Sequence, residues 1–435
     1  MDAAMEDFVM VSHDEAGLCI YGGPDYLSDI GDYIDSVAEA LWPVNKKIHD
    51  NPELGYEEYI AHEALTTFMR SQQGWEVTPS AYGIKTAWIA VYDTGKKGPV
   101  VSFNAEMDAL TGIGHACGHN LIAMASVAGA LATADTMKAR SIPGKVVLYG
   151  TPAEEGGGGK IALLKAGAYR DHKVDINLIS HPGIVQDNAL VHSTAYERFK
   201  VEYYGREAHA AASPWLGINA LDALITAYNA LSVLRQQTMP GDIIQGYITD
   251  GGVAPNIIHA YTAGIFVTRA STQARLVELQ AKVTACFEAG AGATGAKLKI
   301  TPLQAYADHV PNRVLAASYA RYFNALGPER KIPLDQDVDE IQGVTQASTD
   351  QGDISYAMPS LSPGFQILPG PENAGPHNPD FATAAGTKDA FERSLRVGKA
   401  LAATAVDVLT QDGLLDEVKA QWRKDMEGNA CGSRG

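Results

Sequence analysis

The sequence predicts an α/β protein with a mostly parallel sheet, helices on both of its faces, and an inserted α+β unit. Two observations lead to this prediction. Short β-rich segments alternate with helical segments in the first half of the chain, and a different order of elements occupies the middle. The alternating pattern then returns near the end. A chain of 435 residues is also long enough for two domains.

The first half begins with a predicted helix over 30–48, where apolar residues recur at helical spacing. Strands are predicted where short runs are rich in β-branched and aromatic residues. These runs are Thr86–Tyr92, Val100–Asn104, Lys145–Tyr149 and Asp175–Ser180. Small-residue helices are predicted between them at Leu121–Met137 and Lys160–Ala168. Strands that alternate with helices favour a largely parallel sheet.

The middle of the chain predicts a strand, a helix, two strands, a helix and a final strand. The segments are Phe199–Tyr204, Asn219–Gln236, Asp242–Thr249, Tyr261–Arg269, Thr272–Glu288 and Lys297–Pro302. This order is typical of a ferredoxin-like α+β module. Beyond Pro311 the α/β pattern resumes and ends in a predicted helix over 387–409. We therefore expect one domain in two parts, 24–197 and 312–425, an inserted domain at 198–311, and terminal extensions at 1–23 and 426–435.

Composition narrows the classes of partner. The formal charge of −17 argues against nucleic acid and anionic membrane surfaces, because both attract basic patches. The acidic first ten residues lack the pattern of a secretory signal, and charged or glycine residues interrupt every long apolar run. The four cysteines are far apart, which is typical of a reducing compartment. We expect a cytoplasmic protein without a membrane span.

Acidic residues and histidines follow three of the predicted strands. Glu106 and Asp108 follow the first, Glu154 and Glu155 follow the second, and His181 follows the third. Ligands bind at the carboxyl edge of open α/β sheets, where loops from several strands converge. We therefore expect these side chains to lie close together.

The segment 114–120 places Cys117 two residues before His119. An isolated cysteine is most often a small buried apolar residue, and His119 makes that interpretation less favoured here. Catalytic metal sites gather ligands from several elements and keep one position open to water. His181 and His377 are further imidazoles on separate loops, so these residues together suggest a catalytic metal site.

The neighbouring Glu154 and Glu155 suggest two roles, because consecutive side chains point in different directions. One carboxylate would bind a metal, and the other would take a proton from water. The alternative is a solvated acidic turn before a helix, where the helix dipole favours carboxylates.

Three residues of the inserted unit are candidates for contact with substrate. His209 lies among small residues and is reachable by another surface, although a lone histidine is more often structural. Asn256 and Arg269 carry an amide and a guanidinium that suit a carboxylate or an oxyanion. For Arg269, a surface ion pair is an equally good interpretation.

Six short motifs in a fixed order identify a resemblance. They are His49–Gly55, Ala105–Leu110, His115–His119, Pro152–Gly156, Ala208–Ala210 and His377–Phe381. In these motifs the chain resembles the aminoacylase and hippurate hydrolase family of dinuclear metallopeptidases, which includes auxin-conjugate amidohydrolases and carboxypeptidases. The segments 112–120 and 150–160 are most similar to the subgroup of β-alanyl-lysine dipeptidase and aminobenzoyl-glutamate hydrolase. The resemblance covers nearly the whole chain.

The resemblance implies a metallo-exopeptidase fold, two divalent metal ions and a role for each motif residue. The implied metal ligands are Cys117, His119, Glu155, His181 and His377, with the Cys117 thiolate between the two ions. Glu154 would be the general base, and Asp108 would orient a ligand. The inserted unit would be a dimerisation lid whose His209 enters the partner's site, with Asn256 and Arg269 on the substrate. A homodimer is therefore implied.

The hypothesis from sequence is a metal-dependent amidohydrolase that cleaves a dipeptide or an N-acyl or aminoacyl amino acid. The ligand types suit zinc, manganese or cobalt. One alternative is the same site in a secondary-metabolite pathway, either deacylating a conjugate or forming an amide. A second alternative, from another class, is a binding or scaffold protein that has lost turnover. The intact candidate residues count against that second alternative.

Overall fold

The computed structural model describes residues 26–334 and 347–431. The predictions for the first ten residues therefore lie outside the described residues. The strands, in chain order, are β1 Trp75–Pro79, β2 Trp88–Asp93, β3 Val100–Glu106, β4 Lys145–Thr151, β5 Ile176–Leu178, β6 His181–Gly183, β7 Ala195–Tyr204, β8 Ile243–Asp250, β9 Tyr261–Ala270, β10 Lys297–Tyr306, β11 Ser360–Leu361 and β12 Gly364–Gln366.

The helices are α1 Leu27–His49, α2 Tyr59–Arg70, α3 His119–Arg140, α4 Gly159–Ala166, α5 Ala168–Asp171, α6 Ala220–Leu234, α7 Gln273–Thr294, α8 Arg313–Ala325, α9 Gln351–Ala357, α10 Pro379–Ala385, α11 Lys388–Thr410 and α12 Leu414–Cys431. Within the described ranges, no helix combines the length and the apolar character needed to cross a membrane.

A six-stranded sheet forms the centre of the larger body, in the order β1-β2-β4-β3-β5-β11. The strands β4, β3, β5 and β11 run parallel, which confirms the predicted mostly parallel sheet. β2 pairs antiparallel with both β4 and β1, so one edge of the sheet is antiparallel. The connection between β1 and β2 is short, so these two strands pair antiparallel and need no crossover helix between them.

Helix α3 lies at the centre of the core and packs against α11. Helix α3 carries seven alanines and one glycine, and its residues 119–134 are all buried, so other elements approach it closely. At the crossing with α11, a Cβ added at Gly398 would lie 2.9 Å from the Ala125 carbonyl oxygen. A Cβ added at Gly129 would lie 3.0 Å from a ring carbon of Phe103 on β3. The two glycines therefore set how closely the sheet and the two helices pack.

A second, antiparallel sheet has the order β10-β7-β9-β8 and packs against α6 and α7. The chain order of strands and helices confirms the predicted ferredoxin-like unit. Phe199, Phe266 and Phe287 form its core, with 4.8 Å between the ring centroids of Phe266 and Phe287. This core is separate from the core around the large sheet. The domain boundaries at 198 and 311 stay a prediction.

Helix starts follow the capping residues in the sequence. The side-chain oxygen of Asn219 accepts hydrogen bonds from the backbone at 221 and 222, and α6 begins at the next residue. Thr272 caps α7 in the same way. The helix predicted over 160–168 is instead broken at Gly167, whose φ of 92° lies in the left-handed region. The chain there continues as the separate short helix α5.

Candidate metal centre

Loops that follow three strands converge at one edge of the large sheet. Glu106 is the last residue of β3, and Asp108 follows it by two residues. Glu154 and Glu155 follow β4, and His181 opens β6 just beyond the end of β5. These side chains therefore lie at the carboxyl edge of the sheet, as predicted.

Segment 117–119 enters the site at the start of α3. Gly118 has a φ of 75°, and a Cβ there would lie 2.5 Å from Cγ of Pro182. Only glycine fits this left-handed position without displacing the loop that carries His181. As a result Cys117 Sγ lies 3.3 Å from His181 Nε2.

The candidate ligands form two sets that share one residue. Cys117, His119 and His181 have ligand atoms within 4.8 Å of one another, and so do Cys117, Glu155 and His377. His377 reaches the second set because its backbone N–H donates to the Ala116 carbonyl oxygen over 2.8 Å. These two sets allow two neighbouring cation positions that share the thiol of Cys117.

Hydrogen bonds made by Nδ1 orient two of the imidazole rings so that Nε2 of each faces the other candidate ligands. Nδ1 of His119 donates to Asp108, and Nδ1 of His181 donates to the Pro182 carbonyl oxygen. Within the described residues, His119 Nε2 and Glu155 Oε1 are buried atoms without a hydrogen-bond partner. Buried polar atoms are otherwise nearly always paired. These donor atoms fit divalent metal ions that accept imidazole, thiolate and carboxylate together.

Burial also acts on the acid–base groups of the site. Desolvation raises the pKa of the Cys117 thiol, and a bound cation would favour the thiolate instead. Desolvation likewise raises the pKa of Glu154, and the carboxylates of Glu106 and Glu155 raise it further. The pKa of His377 is raised by its contact with Glu155, 3.4 Å away. The neighbouring carboxylates therefore disfavour a further negative charge on Glu154, and a nearby cation would favour it.

The loop that carries Glu154 and Glu155 is fixed by two buried carboxylates. Glu58 Oε1 accepts a hydrogen bond of 2.8 Å from the Ala153 N–H, and Asp108 Oδ2 accepts one of 2.9 Å from the Glu155 N–H. Asp108 therefore contacts both His119 and the Glu155 backbone. Sequence reasoning missed the part played by Glu58, although it lies just beyond the motif at 49–55.

A hydrogen bond from the second sheet also reaches this loop. The hydroxyl of Tyr306, the last residue of β10, donates to the Glu154 carbonyl oxygen over 2.6 Å. Sequence reasoning missed this contact, because it joins residues 152 positions apart.

A cavity of about 800 Å³ opens beside these residues. Its lining includes Glu154, His181 and His377 on one side and Arg269 on the other. Nη1 of Arg269 donates to Ser348 Oγ over 2.7 Å, and its guanidinium lies over the ring of Tyr196. The structure therefore places Arg269 at the cavity, with its charge oriented by a hydroxyl and an aromatic face.

His209 and Asn256 are not brought to this cavity within one chain. They are exposed and lie next to each other, since His209 forms a β-bridge with Ile257. Nδ1 of His209 accepts from the backbone N–H groups of Ala211 and Ala212, at 3.2 and 3.1 Å. The proton of a neutral ring is therefore on Nε2, which makes that nitrogen a hydrogen-bond donor.

Comparison with known proteins gives a consistent family. Residues 100–403 match the sequence model described as peptidase family M20/M25/M40. An Xaa-Arg dipeptidase of Mus musculus is 39% identical over 402 residues, covering 90% of this chain and 90% of the mouse protein. A p-aminobenzoyl-glutamate hydrolase chain of Escherichia coli is 27% identical over 464 residues, covering 90% of this chain and 94% of the bacterial one.

Solved structures show the same fold at lower identity. The YXEP protein of Bacillus subtilis, described as a dinuclear metal binding peptidase from the M20 family, aligns with a TM-score of 0.64 at 18% identity. The alignment covers 87% of this chain and 99% of that one. An aminobenzoyl-glutamate utilization protein of Klebsiella pneumoniae aligns with a TM-score of 0.62 at 19% identity, over 87% and 97% of the two chains.

Proposed function

The chain belongs to peptidase family M20/M25/M40, and on that premise we propose that its metal centre cleaves dipeptides whose carboxyl-terminal residue is cationic. The chain is a metal-dependent hydrolase that acts on the amide bond of dipeptides or acyl-amino acids. Two Xaa-Arg dipeptidases, 39% and 38% identical over nine-tenths of this chain, support the cationic residue. The rival hypothesis of a binding protein without turnover is therefore set aside.

The single observation that carries the catalytic proposal is the pair of ligand sets sharing Cys117. We assign Cys117, His119 and His181 to one ion and Cys117, Glu155 and His377 to the other. When bound, the ions activate water and polarise the amide carbonyl group. Zinc, manganese and cobalt all suit these ligands. A cytosolic, reducing environment stays a prediction, and it would keep the thiol of Cys117 available.

Glu154 is proposed as the general base. It is buried, and its Oε2 lies 3.8 Å from His119 Nε2, next to the shared cation positions. Glu154 would take a proton from water as the water oxygen forms a bond to the amide carbon. It would then pass this proton to the amide nitrogen as the carbon–nitrogen bond breaks, so that the products are a carboxylate and a free amine. Asp108 would hold the ring of His119 and the Glu155 backbone in place.

Arg269 and the lid residues are proposed to bind substrate. The guanidinium of Arg269 faces the cavity and would pair with the terminal carboxylate of the substrate. His209 and Asn256 do not line the cavity of their own chain, which supports their action in the site of a second protomer. There the Nε2–H of His209 would donate to the developing oxyanion.

A homodimer is proposed to form through the second sheet. β8 is the edge strand of that sheet, and Tyr247 and Ile248 on it are 58% and 41% exposed. Val233 on α6 is 74% exposed. An unpaired edge strand with apolar side chains is a surface that proteins normally cover.

The substitution Glu154→Gln tests the catalytic proposal. The variant should lose at least about a thousandfold in kcat on dipeptides such as alanyl-arginine, because the amide cannot accept the proton. It should keep the metal content of the wild-type protein, measured by inductively coupled plasma mass spectrometry. Retained turnover would refute the role of Glu154. A wild-type protein that prefers neutral or acidic carboxyl-terminal residues would refute the substrate class alone.

A further inference from the structure

Lys160 is a buried lysine enclosed by two carboxylates. Its Nζ lies 2.6 Å from Glu106 Oε1 and also donates to Asp350 Oδ1. The backbone N–H of Lys160 donates to the other oxygen of Asp350 over 2.9 Å. All three side chains are at most 2% exposed. Because an unpaired buried ammonium is costly, these contacts hold all three groups in fixed positions.

The second oxygen of Glu106 points the other way, into the metal centre. Oε2 is buried, and among the described residues it has no hydrogen-bond partner. It lies 3.3 Å from Nε2 of His119, and Glu106 lines the cavity. His119 already donates through Nδ1 to Asp108, so the neutral ring presents a lone pair at Nε2. A proton on Nε2 would make this contact an ion pair, and a divalent cation that takes the place of that proton would contact both atoms.

The same carboxylates do not form a separate cation site. Glu106, Glu154 and Asp350 have oxygens within 4.8 Å of one another. The ammonium of Lys160 already contacts two of the three, and it occupies the side of Glu106 that faces Asp350. What remains available on Glu106 is the oxygen that faces His119.

We propose that Glu106 is an additional ligand of the metal centre, binding through Oε2 the ion held by His119, and that Lys160 and Asp350 are positioning residues for its carboxylate. This inference depends on the proposed function, because it needs the ion that His119 would bind. It adds a sixth residue to the five ligands assigned above. It also gives a role to the lysine that ends the glycine run at 156–159.

Metal titration of the intact protein tests this inference. The metal-free wild-type protein and the Glu106→Gln variant are titrated with Zn²⁺ in a calorimeter, and with Co²⁺ while the visible absorption is followed. Glutamine keeps the size of the side chain but removes the anionic oxygen. One of the two binding steps should weaken about tenfold or more, with a changed Co²⁺ band, while the other step keeps its affinity.

Variants of the lysine separate positioning from bulk structure. Lys160→Met should weaken the same binding step as Glu106→Gln, and Lys160→Arg should restore part of the affinity. The matched control is Asp353→Asn, which changes another carboxylate on the helix that begins directly after Asp350. Asp353 accepts a hydrogen bond from the Ala307 N–H over 3.1 Å and does not line the cavity. This control should keep both affinities.

A folded Glu106→Gln protein, judged by near-ultraviolet circular dichroism, that binds both ions with wild-type affinities would overturn the inference. If that variant does not fold, Glu106→Asp decides instead. Its shorter side chain should weaken one step, and unchanged affinities would overturn the inference equally. A wild-type protein that binds no metal would contradict the proposed function itself, and this result is distinct from the others.

Discussion

Ala153 adopts a left-handed backbone conformation directly before the two glutamates of the metal centre. Its φ is 55°, which costs a residue with a side chain roughly 1–2 kcal/mol. The hydrogen bond from its N–H to Glu58 keeps the chain in this conformation. Strain of this kind persists where the surroundings over-determine it, and here it directly precedes two glutamates that both lie 3.8 Å from His119 Nε2.

His309, a buried histidine in the cavity lining, predicts that the stability of the protein depends on pH. Burial lowers the pKa of His309 to about 4, against the hydrogen bond to the Val191 carbonyl oxygen and beside His192. The unfolded chain binds the proton near pH 6.5, so the stabilising effect of the neutral ring is lost as the pH falls from about 6.5 to 4. The total loss is roughly 3 kcal/mol at about 1.4 kcal/mol per pH unit.

His309→Asn should remove this loss, because its amide can still donate to Val191 and does not titrate. The measurement is urea unfolding of both metal-free proteins between pH 7 and pH 4. Metal-free protein is used so that loss of the ions does not contribute. If the free energy of unfolding falls equally with pH in both proteins, His309 does not cause the pH dependence of stability.

At the same scale, the sequence is sufficient to predict which candidate ligands lie together, but not the residues that hold them in place. Cys117 and His119 are two positions apart, and Glu154 and Glu155 are adjacent, so their patterns are local. Lys160 pairs with Asp350, which is 190 positions away. A lysine at the start of a helix is usually solvated, and only the fold brings this lysine between two carboxylates. Such pairs depend on tertiary structure and have no local pattern.

Among the elements, the crossing of α3 and α11 predicts a sensitive position. Gly398→Ala should destabilise the protein by about 1–3 kcal/mol, because the new Cβ would lie 2.9 Å from the Ala125 carbonyl oxygen and 3.2 Å from Ala128 Cβ. Both contacts are with the facing helix, which is packed on its other sides. Chemical denaturation measures the change in the free energy of unfolding.

Gly31→Ala is the matched control for that substitution. Gly31 lies inside α1, and a Cβ there would meet nothing within 4 Å. Alanine should therefore stabilise the protein by roughly 0.5–1 kcal/mol through helix propensity alone. Equal effects of the two substitutions would show that the crossing is less tightly packed than the contacts indicate.

Elements with strong periodic or capping patterns can be predicted, and weaker ones cannot. The central strands β3 and β4 are rich in β-branched and aromatic residues and are buried, and α6 and α7 start after capping residues. The sequence does not predict β1, since its residues alternate between exposed and half-buried positions and it ends in Pro79. For the same reason the sequence does not predict the antiparallel edge. The strand at 88–93 is recognisable in the sequence, but its edge partner β1 is not.

At the scale of the whole molecule, the absence of His209 from the cavity lining predicts dependence on a second chain. Protein with Glu154→Gln should be inactive, and so should protein with His209→Ala. Mixed after reversible dissociation, the two should recover about a quarter of wild-type activity, because half of the dimers would hold one complete site. The measurement is hydrolysis of alanyl-arginine, with the dimer followed by analytical ultracentrifugation.

A second mixture serves as the control for this complementation. Glu154→Gln protein mixed with a protein that carries both substitutions contains no complete site, so it should stay inactive. Recovery in this control would point to contamination. No recovery in the first mixture, despite exchange of protomers, would mean that His209 does not act across the interface.

The hydrogen bond from Tyr306 to the Glu154 carbonyl oxygen joins the two sheets at the residue proposed as the general base. Tyr306 ends the last strand of the smaller sheet, and Glu154 follows a strand of the larger one. A rotation of one sheet against the other must therefore break this bond or shift the backbone at residue 154. If product release requires the two sheets to move apart, the same motion would also displace the loop of Glu154, the proposed base.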